Sequence, residues 1–197
     1  MLSHPSRPNW HFELLAPVYD WMALSRDDQP ILEGLNLSSG ARLLDLAGGT
    51  GSLLKDFEDS KVLEISRGYL FDRSSAMLRQ ARKKQIQNLI SGDSTALPLK
   101  NSSFDGVFVG DALHHMDRVP EVLEEVRRVL RDGGRFVIEE FDPGTVLGKL
   151  LYWIEWLTGM KSRFYRPVEL VSILRDIGFS QVKIEQDGFV YYLTAYE

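Results

Sequence analysis

Residues 43–51 read Leu-Leu-Asp-Leu-Ala-Gly-Gly-Thr-Gly, and the pattern around them decides the fold. The apolar run 41–46 predicts a buried strand that carries one acid, Asp45. The strand is followed by three glycines: Gly48, Gly49 and Gly51. Residues 52–57 then predict a helix. A strand, a glycine turn and a helix in this order build a small-molecule site in an open α/β sheet, because glycines let the backbone approach a ligand closely.

The spacing of these glycines does not fit two common phosphate-binding motifs. In the dinucleotide fingerprint Gly-x-Gly-x-x-Gly, counting from Gly49 places Leu54 where the third glycine belongs. Counting from Gly48 places Thr50 at the second glycine. A Walker loop fails as well, because no Gly-Lys-Ser/Thr follows. The sequence therefore does not indicate a pyrophosphate cradle, which argues against a nucleotide-dependent oxidoreductase on a similar sheet.

The composition is ordinary for a globular protein that buries a real core. The 197 residues carry 23 Lys+Arg and 28 Asp+Glu, a net charge of −5 that argues against a nucleic-acid partner. The chain has no cysteine, so a disulfide, a thiolate metal site and a catalytic thiol are excluded. Residues 1–10 lack the apolar core of a signal peptide, and no apolar run reaches the roughly 18 residues of a membrane span. We therefore expect a cytoplasmic protein without a transmembrane segment.

Strand-like and helix-like segments alternate along the chain, which predicts a mostly parallel sheet with helices on both faces. Predicted strands cover residues 41–46, 68–71, 86–90, 104–109, 135–141, 179–185 and 189–196. Predicted helices cover residues 12–24, 31–37, 52–57, 76–84, 119–130 and 168–176. Ser74 is expected to cap the helix that begins at residue 76, because serine accepts a hydrogen bond from a free helix-end N–H.

The stretch 43–51 resembles motif I of the class I S-adenosylmethionine-dependent methyltransferases, written acid-x-Gly-x-Gly-x-Gly. Asp45, Gly49 and Gly51 match this motif, and Ala47 stands in place of its first glycine. The variant Leu-Asp-Leu-Ala-Gly-Gly-Thr-Gly is similar to that of the ubiquinone and menaquinone biosynthesis methyltransferases. The resemblance implies a Rossmann-like α/β fold whose seven-stranded, mostly parallel sheet has the order 3-2-1-4-5-7-6, with strand 7 antiparallel.

The resemblance also implies cofactor-binding residues at the ends of later strands. Asp72 ends strand two, where the family places an acid on the ribose hydroxyls, and a carboxylate there can accept two O–H donors. Asp93 follows strand three, where an acid accepts a hydrogen bond from the adenine amino group. The residues after strand four line the methionine end of the cofactor. The implied set is Tyr19, Asp45, Ala47, Gly48, Gly49, Gly51, Asp72, Arg73, Met77, Asp93, Ser94, Gly110, Asp111 and Ala112.

Three of these residues have a competing structural interpretation. Met77 lies in a segment similar to the family's Asp-x-Ser-x-x-Met-Leu, and it either faces the adenine or packs in the core. Asp93 either binds the adenine or holds a turn. Tyr19 lies in Ala-Pro-Val-Tyr-Asp, which resembles the quinone-type segment Ala-x-x-Tyr-Asp, in which the tyrosine covers the cofactor. Packing of an amphipathic helix is the alternative for Tyr19.

The methyl acceptor is expected to meet two further features. His114 and His115 follow strand four, and a histidine there can act as the general base that deprotonates a hydroxyl or an acidic carbon. The alternative is the start of a helix, with one imidazole solvated and the other bonded to a backbone carbonyl. Residues 146–165 are rich in large apolar side chains and predict an acceptor-binding lid, which suggests an apolar or aromatic acceptor. A core helix, a dimer contact and association with a membrane surface are the alternatives.

We therefore expect a single methyltransferase domain over residues 1–197, with an N-terminal helical cap at about 1–38 and a lid insertion at about 143–166. It would transfer a methyl group from S-adenosylmethionine to a small quinol- or phenol-like acceptor and release S-adenosylhomocysteine. The alternative is a catalytically silent S-adenosylmethionine-binding module with an assembly role. The quinone subgroup carries Phe-Gly-x-Arg-Asn after strand four, but here residues 110–115 read Gly-Asp-Ala-Leu-His-His, so the acceptor stays open. No metal site is predicted, although Asp111 and Asp142 keep a catechol-type magnesium site formally open, and a dimer is one possible assembly.

Overall fold

The computed structural model describes residues 10–17, 20, 27–64, 67–160 and 162–197. Their helices are α1 (Trp10–Leu15), α2 (Gln29–Leu35), α3 (Ser52–Asp59), α4 (Ser75–Lys83), α5 (Val119–Val129), α6 (Val146–Leu157) and α7 (Pro167–Ile177). Their strands are β1 (Leu43–Leu46), β2 (Gly68–Asp72), β3 (Asn88–Ser91), β4 (Phe104–Gly110), β5 (Leu130–Phe141), β6 (Gln181–Asp187) and β7 (Val190–Tyr196). A 3-10 turn, Leu113–His115, follows β4. Within these residues, no helix is both long enough and apolar enough to cross a membrane.

The strands of the described residues form one sheet in the order β3-β2-β1-β4-β5-β7-β6. The first five run parallel, and β7 pairs antiparallel with both β5 and β6. The order and the single reversed strand confirm the fold predicted from the sequence. Parallel pairing brings the carboxyl ends of β1, β2, β4 and β5 to one edge, where ligands bind in open α/β sheets. At this edge Gly110 of β4 pairs with Glu139 of β5.

Helices cover both faces of the sheet, as the alternating pattern predicts. On one face, α5 buries an apolar stripe that includes Val122, Leu123 and Val126. These side chains belong to a core that they share with α7 and with the inner face of β5 and β7. On the other face, Ile31 of α2 and Phe57 of α3 pack in a second buried cluster against β1 and β2. The central strands, apolar on both faces, are therefore fully enclosed.

Two predicted boundaries differ from the structure for identifiable reasons. Strand β5 begins at Leu130, five residues before the predicted start, because Leu130 pairs with Phe104 across an irregular register that absorbs residues 131–134. The N-terminal helix predicted over 12–24 is seen as α1, which ends at Leu15. Of the remainder of that prediction, residues 18–19 and 21–24 lie outside the described residues.

Candidate functional site

The loop after β1 is held in a tight conformation by residues with left-handed backbone angles. The φ angles are +58° at Ala47, +55° at Gly49 and +76° at Gly51, which precedes α3. A Cβ atom on Gly48 would lie 2.5 Å from the Cγ and Oδ2 atoms of Asp45, whose side chain is buried directly beneath the loop. Only glycine fits at position 48, because any larger residue would displace this carboxylate.

Asp72, the last residue of β2, ties the glycine loop to the next helix. Its Oδ2 accepts a hydrogen bond from Gly49 N at 2.9 Å, and its Oδ1 accepts one from Ser74 N at 2.7 Å. Burial raises the pKa of Asp72, while the two backbone N–H groups act in the opposite direction. Ser74 caps α4 as predicted, since its hydroxyl accepts a hydrogen bond from Met77 N at 3.2 Å. A carboxylate has roughly four lone-pair positions, so Asp72 retains acceptor capacity for a ligand.

The N-terminal segment lies against the same loop. Asp20 accepts hydrogen bonds from the hydroxyls of Thr50 and Ser52, and its Oδ2 lies 2.7 Å from Lys84 Nζ. Glu13 of α1 accepts a hydrogen bond from Ala76 N, at the start of α4, at 3.2 Å. Asp20 therefore lies against the glycine loop, and α1 lies against the first turn of α4.

A buried histidine and a buried acid meet at the ends of β4 and β5. After β4 the chain turns through Asp111, at a φ of +50°, into the 3-10 turn that contains His114. Glu140 of β5 accepts hydrogen bonds through its Oε1 from Leu113 N at 2.7 Å and Ala112 N at 3.2 Å. Its Oε2 lies 2.6 Å from His114 Nδ1. Since Glu140 and His114 are 2% and 1% exposed, one carboxylate fixes both the backbone of the turn and the orientation of the imidazole ring.

Two more carboxylates approach the other nitrogen of this ring. His114 Nε2 lies 3.7 Å from Asp111 Oδ1 and 3.6 Å from Oε1 of Glu155, which belongs to α6. The ring also stacks on Phe164, with the ring centres 4.5 Å apart. We call Asp111, His114, Glu140 and Glu155 the histidine–carboxylate cluster.

The surroundings of the two histidines give them opposite charge states. Burial lowers the pKa of His114, but the charge of Glu140 and its hydrogen bond outweigh this and raise the pKa well above its ordinary value. Burial and the neighbouring charge of His114 lower the pKa of His115 to about 3. Burial raises the pKa of Asp111 to about 8, since its Oδ1 is enclosed although 44% of the side chain is exposed. The cluster therefore holds one imidazolium among carboxylates, beside a neutral His115.

Similarity to known proteins identifies the family of this chain. Residues 44–138 match the family model described as a methyltransferase domain. The chain is 35% identical over 131 residues to the ubiquinone/menaquinone biosynthesis C-methyltransferase UbiE of Paracoccus denitrificans, which covers 63% of this chain and 51% of that protein. It is 30% identical over 180 residues to the protein of the same name from Dinoroseobacter shibae, which covers 78% of this chain and 72% of the relative. The chain belongs to the class I S-adenosylmethionine-dependent methyltransferases.

S-adenosylmethionine is accordingly the cofactor of this methyltransferase. The chain spans about half the length of the Paracoccus relative, at 51%. Among solved structures, it resembles a protein of Thermotoga maritima described as an S-adenosylmethionine-dependent methyltransferase and possible histamine N-methyltransferase. The TM-score is 0.72 at 19% identity, and the match covers 95% of this chain and 99% of that one. This likeness shows a shared fold.

Two cofactor-binding candidates of the methyltransferase have a clear structural position. Met77 is 2% exposed, and its Sδ lies 3.9 Å from where a Cβ on Gly49 would stand, so it packs beneath the glycine loop. Asp93 holds a turn, because its Oδ1 accepts hydrogen bonds from the N–H and the hydroxyl of Thr95. The turn hydrogen bonds lower the pKa of Asp93, although burial acts in the opposite direction. A role for either residue at the adenine stays a prediction.

Five other cofactor-binding candidates were predicted from the sequence. Ser94 Oγ lies 3.9 Å from the sulfur of Met116, and Arg73 is exposed on the surface. Gly110 and Ala112 flank Asp111 at the end of β4, as the sequence order requires. Tyr19 lies outside the described residues.

The methyltransferase's histidines do not match the alternative interpretation given above. His114 is buried on a carboxylate rather than on a backbone carbonyl, and His115 is half-buried, with its Nδ1 3.0 Å from Ser162 Oγ. Their segment is a 3-10 turn rather than the start of an α-helix. A base role for either histidine stays a prediction. His114 lies among carboxylates and is therefore not an isolated imidazole.

Sequence reasoning missed Glu140 and Glu155, the two acids that face His114 from other elements. Each leaves a signal in the sequence. Glu140 lies near the end of a strand whose preceding residues 136–138 are all apolar and buried. Glu155 is the single acid of α6, whose sequence is Val-Leu-Gly-Lys-Leu-Leu-Tyr-Trp-Ile-Glu-Trp-Leu. An acid in an apolar segment is costly to bury, so it indicates a specific partner.

Helix α6 exposes most of its large apolar side chains, so the core-helix alternative is wrong. Thr145 caps the helix, and Gly148 is its one buried residue among those described. The exposed set comprises Val146, Leu147, Leu150, Tyr152, Trp153, Ile154, Trp156 and Leu157. Exposed apolar side chains of this size on one helix are typical of a surface that binds another apolar surface or an apolar ligand.

Ala47 is expected to be a strained residue. Left-handed backbone costs a non-glycine residue about 1–2 kcal/mol, while glycine loses about 0.5–1 kcal/mol more in chain entropy. We therefore expect Ala47→Gly to raise the free energy of unfolding slightly, by about 0.5 kcal/mol, in urea titrations. Ala96→Gly, at an exposed turn residue outside the left-handed region, serves as the control and should lower it. A loss of stability at position 47 would contradict the strain.

Proposed function

We propose that this methyltransferase methylates a small acceptor with an aromatic or otherwise apolar body and an ionisable hydroxyl, as in a phenol or quinol. One observation carries this proposal. Helix α6 exposes Trp153 and Trp156, while its Glu155 reaches to 3.6 Å from His114 Nε2. A single helix thus presents apolar surface and a buried carboxylate next to the end of β4. The names of the Paracoccus and Dinoroseobacter relatives, C-methyltransferases of ubiquinone and menaquinone biosynthesis, support an aromatic acceptor.

The proposed cofactor position follows the carboxyl edge of the sheet. The glycine loop would receive the cofactor above Asp45, the Asp72 carboxylate would bind the ribose hydroxyls, and the backbone of 110–112 would run along the methionine end. The hydrogen bond from Gly49 N to Asp72 supports this arrangement, because it couples the ribose position to the loop. The acceptor would then meet the histidine–carboxylate cluster, which begins at Asp111.

The chemistry divides between the cofactor and the chain. The cofactor supplies an electrophilic methyl carbon on a sulfonium, so the reaction needs alignment of the attacking atom and exclusion of water. Held by the glycine loop and Asp72, the cofactor would give its methyl group to the acceptor in line as the carbon–sulfur bond breaks, and would leave as S-adenosylhomocysteine. A carboxylate of the histidine–carboxylate cluster would take up the hydroxyl proton, beside the His114 imidazolium that Glu140 holds at 2.6 Å. Stacking of His114 on Phe164 shields this region from water.

We also propose a lid and a cap around this site in one domain. Arg163 N, from the segment after α6, donates a hydrogen bond to His114 O at 2.8 Å. Phe12 of α1 meets the His115 ring edge-on, with the ring centres 5.0 Å apart. Elements from both ends of the chain therefore close over the 3-10 turn, which supports residues 143–166 as the lid and the N-terminal segment as the cap. A cytoplasmic location remains a prediction.

The experiment that tests the function has two stages. Calorimetric titration with S-adenosylmethionine, S-adenosylhomocysteine and NADH is expected to show micromolar binding of the two sulfur ligands and none of NADH. Formation of S-adenosylhomocysteine is then measured with a panel of phenols and quinols, with their O-methyl ethers as matched controls. Turnover with the free hydroxyl compounds supports the proposal. Binding without turnover across the panel would favour the catalytically silent module, for which the exposed face of α6 would be the assembly surface.

Asp72→Ala tests the proposed ribose contact. We expect the substitution to weaken S-adenosylmethionine binding by about 1–3 kcal/mol, roughly 5- to 150-fold, because it removes the ribose acceptor and the anchor of Gly49. Calorimetry gives the affinity, and circular dichroism verifies the fold. Asp176→Ala, at an exposed acid of α7, is the control and should bind like the parent. Unchanged affinity in a folded Asp72→Ala protein would remove Asp72 from the site.

A further inference from the structure

Several polar atoms around His114 are buried without a hydrogen-bond partner. Among the described residues, these include Nε2 of His114 and Oε2 of Glu155. The His114 side chain is fully enclosed and that of Glu155 is 15% exposed, so water does not freely satisfy them. A buried polar atom left unpaired costs about 1–3 kcal/mol, and two on facing groups indicate a missing ligand between them.

The arrangement of these groups fits a metal ion better than a direct hydrogen bond. His114 Nε2 and Glu155 Oε1 lie 3.6 Å apart, which is too long for a good hydrogen bond. Two ligands of a tetrahedral zinc ion, each about 2.1 Å from the metal, are separated by about 3.4 Å. A ring nitrogen of His115 completes a set in which the three ligand atoms lie within 4.8 Å of one another.

The second nitrogen of His114 is held in the way that metal-binding histidines require. Its Nδ1 lies 2.6 Å from Glu140 Oε2, and this carboxylate is itself fixed by backbone N–H groups of the turn. A bound metal would displace the Nε2 proton of the imidazolium, while a carboxylate on the far side of the ring keeps the other proton on Nδ1 and makes Nε2 a better ligand. The Oδ1 atom of Asp111 lies 3.7 Å from Nε2 and places a further oxygen near this position.

We propose that His114, His115 and Glu155 bind a divalent transition-metal ion, with Zn²⁺ as the best fit. Two imidazole nitrogens and one carboxylate oxygen form the donor set of open zinc sites, which keep a fourth position for water or substrate. Nitrogen donors favour Zn²⁺ and Co²⁺ over Mg²⁺, which prefers oxygen. The ligands come from a 3-10 turn and from α6, which are far apart in the sequence. No contiguous motif therefore indicates the site, and the sequence did not predict it.

The role of the ion, unlike its binding, rests on the proposed function. An acceptor hydroxyl at the open position would bind the ion through its oxygen, and the positive charge would favour loss of the hydroxyl proton. The ion would also link α6 to the turn after β4, so binding of the metal would hold the lid against the site.

The test uses the full chain without an affinity tag and the metals alone as probes. Zn²⁺ affinity is measured by competition with a chromophoric chelator, and Co²⁺ binding is followed by its visible absorption. We expect one ion per chain, a Co²⁺ spectrum of low coordination number and much weaker binding of Mg²⁺. Glu155→Gln and His115→Ala should each weaken Zn²⁺ binding at least tenfold. Glu124→Gln, the same change at an exposed acid of α5, should leave it unchanged.

Titration with S-adenosylmethionine on the same samples distinguishes failure of the proposed metal site from failure of the proposed function. It verifies that each variant retains its cofactor site, so that lost metal binding does not reflect unfolding. A parent protein that binds S-adenosylmethionine but neither Zn²⁺ nor Co²⁺ would overturn the metal site and leave the proposed function standing. Metal binding that survives both Glu155→Gln and His115→Ala at full strength would overturn the assignment of the ligands.

Discussion

Replacing His114 by alanine is expected to lower the kcat for methyl transfer by roughly 100-fold or more, since positioned proton transfer contributes about that much and the carboxylates of the cluster lose the imidazolium that positions them. The substitution removes the one group that touches all three carboxylates of the cluster, at 2.6 Å from Glu140, 3.6 Å from Glu155 and 3.7 Å from Asp111. S-adenosylmethionine affinity should stay within about threefold of the parent, because His114 takes no part in the glycine loop or in the Asp72 contacts. Single-turnover measurements with saturating cofactor and a phenol or quinol acceptor provide the comparison.

His115→Ala is the matched variant for this prediction. Its Nδ1 atom lies 3.0 Å from Ser162 Oγ, whereas Glu140 contacts His114, so we expect a smaller loss of kcat, about tenfold. His114→Asn guards against a folding defect, because its side chain keeps one polar group near Glu140 while removing the imidazole. Full turnover in folded His114→Ala protein would show that the cluster plays no part in the chemistry.

The predictable parts of this protein are those formed by residues that are close together in the sequence. The strand, glycine turn and helix around residues 43–51 form from neighbours in the chain, so local pattern is sufficient to place them. The cap at Ser74 is equally local, because its partner Met77 N lies three residues away. Sheet order was implied by the family resemblance rather than by any local rule, since nothing in one strand identifies its neighbour.

The histidine–carboxylate cluster was not predictable in this way. Glu140 and His114 are 26 residues apart, and they meet only because Gly110 pairs with Glu139 in the β4–β5 register. A shift of one residue would turn Glu140 to the opposite face of the sheet. The contact of Glu155 depends in addition on how α6 lies beside the 3-10 turn, which no motif specifies. The sequence therefore indicated the histidines and the apolar helix but not the acids that join them.

Chain geometry also explains why the charge states of the two histidines could not be predicted from the sequence. An isolated histidine titrates near neutral pH, and that ordinary behaviour motivated the prediction. Inside the fold, the charge of Glu140 outweighs burial and raises the pKa of His114, whereas burial and the charge of His114 lower the pKa of His115. Both shifts arise from contacts made by folding, so they are invisible in the Leu-His-His segment alone.

Glu140→Leu is expected to lower the free energy of unfolding by about 3–5 kcal/mol, the usual effect of removing one partner from a buried ion pair. The leucine would leave the N–H groups of Ala112 and Leu113 without their acceptor. It would also leave the buried His114 without a negative charge next to its Nδ1 atom. Urea unfolding followed by circular dichroism measures the change, and Glu185→Leu, at an exposed acid of β6, should remain within about 0.5 kcal/mol of the parent.

Glu140→Gln separates the contribution of the backbone hydrogen bonds from the contribution of the negative charge beside His114. The amide oxygen can still accept the hydrogen bonds from Ala112 and Leu113, so the turn after β4 should persist, but the negative charge beside His114 is lost. We expect an intermediate loss of stability, about 1–2 kcal/mol, because a hydrogen bond to a charged group contributes about 1.5–3 kcal/mol and only part of it is removed. If Glu140→Leu and Glu140→Gln were equally unstable, the charge alone would hold the turn. If both matched the parent, the buried pair would not support the fold, because the backbone could then satisfy its N–H groups without the carboxylate.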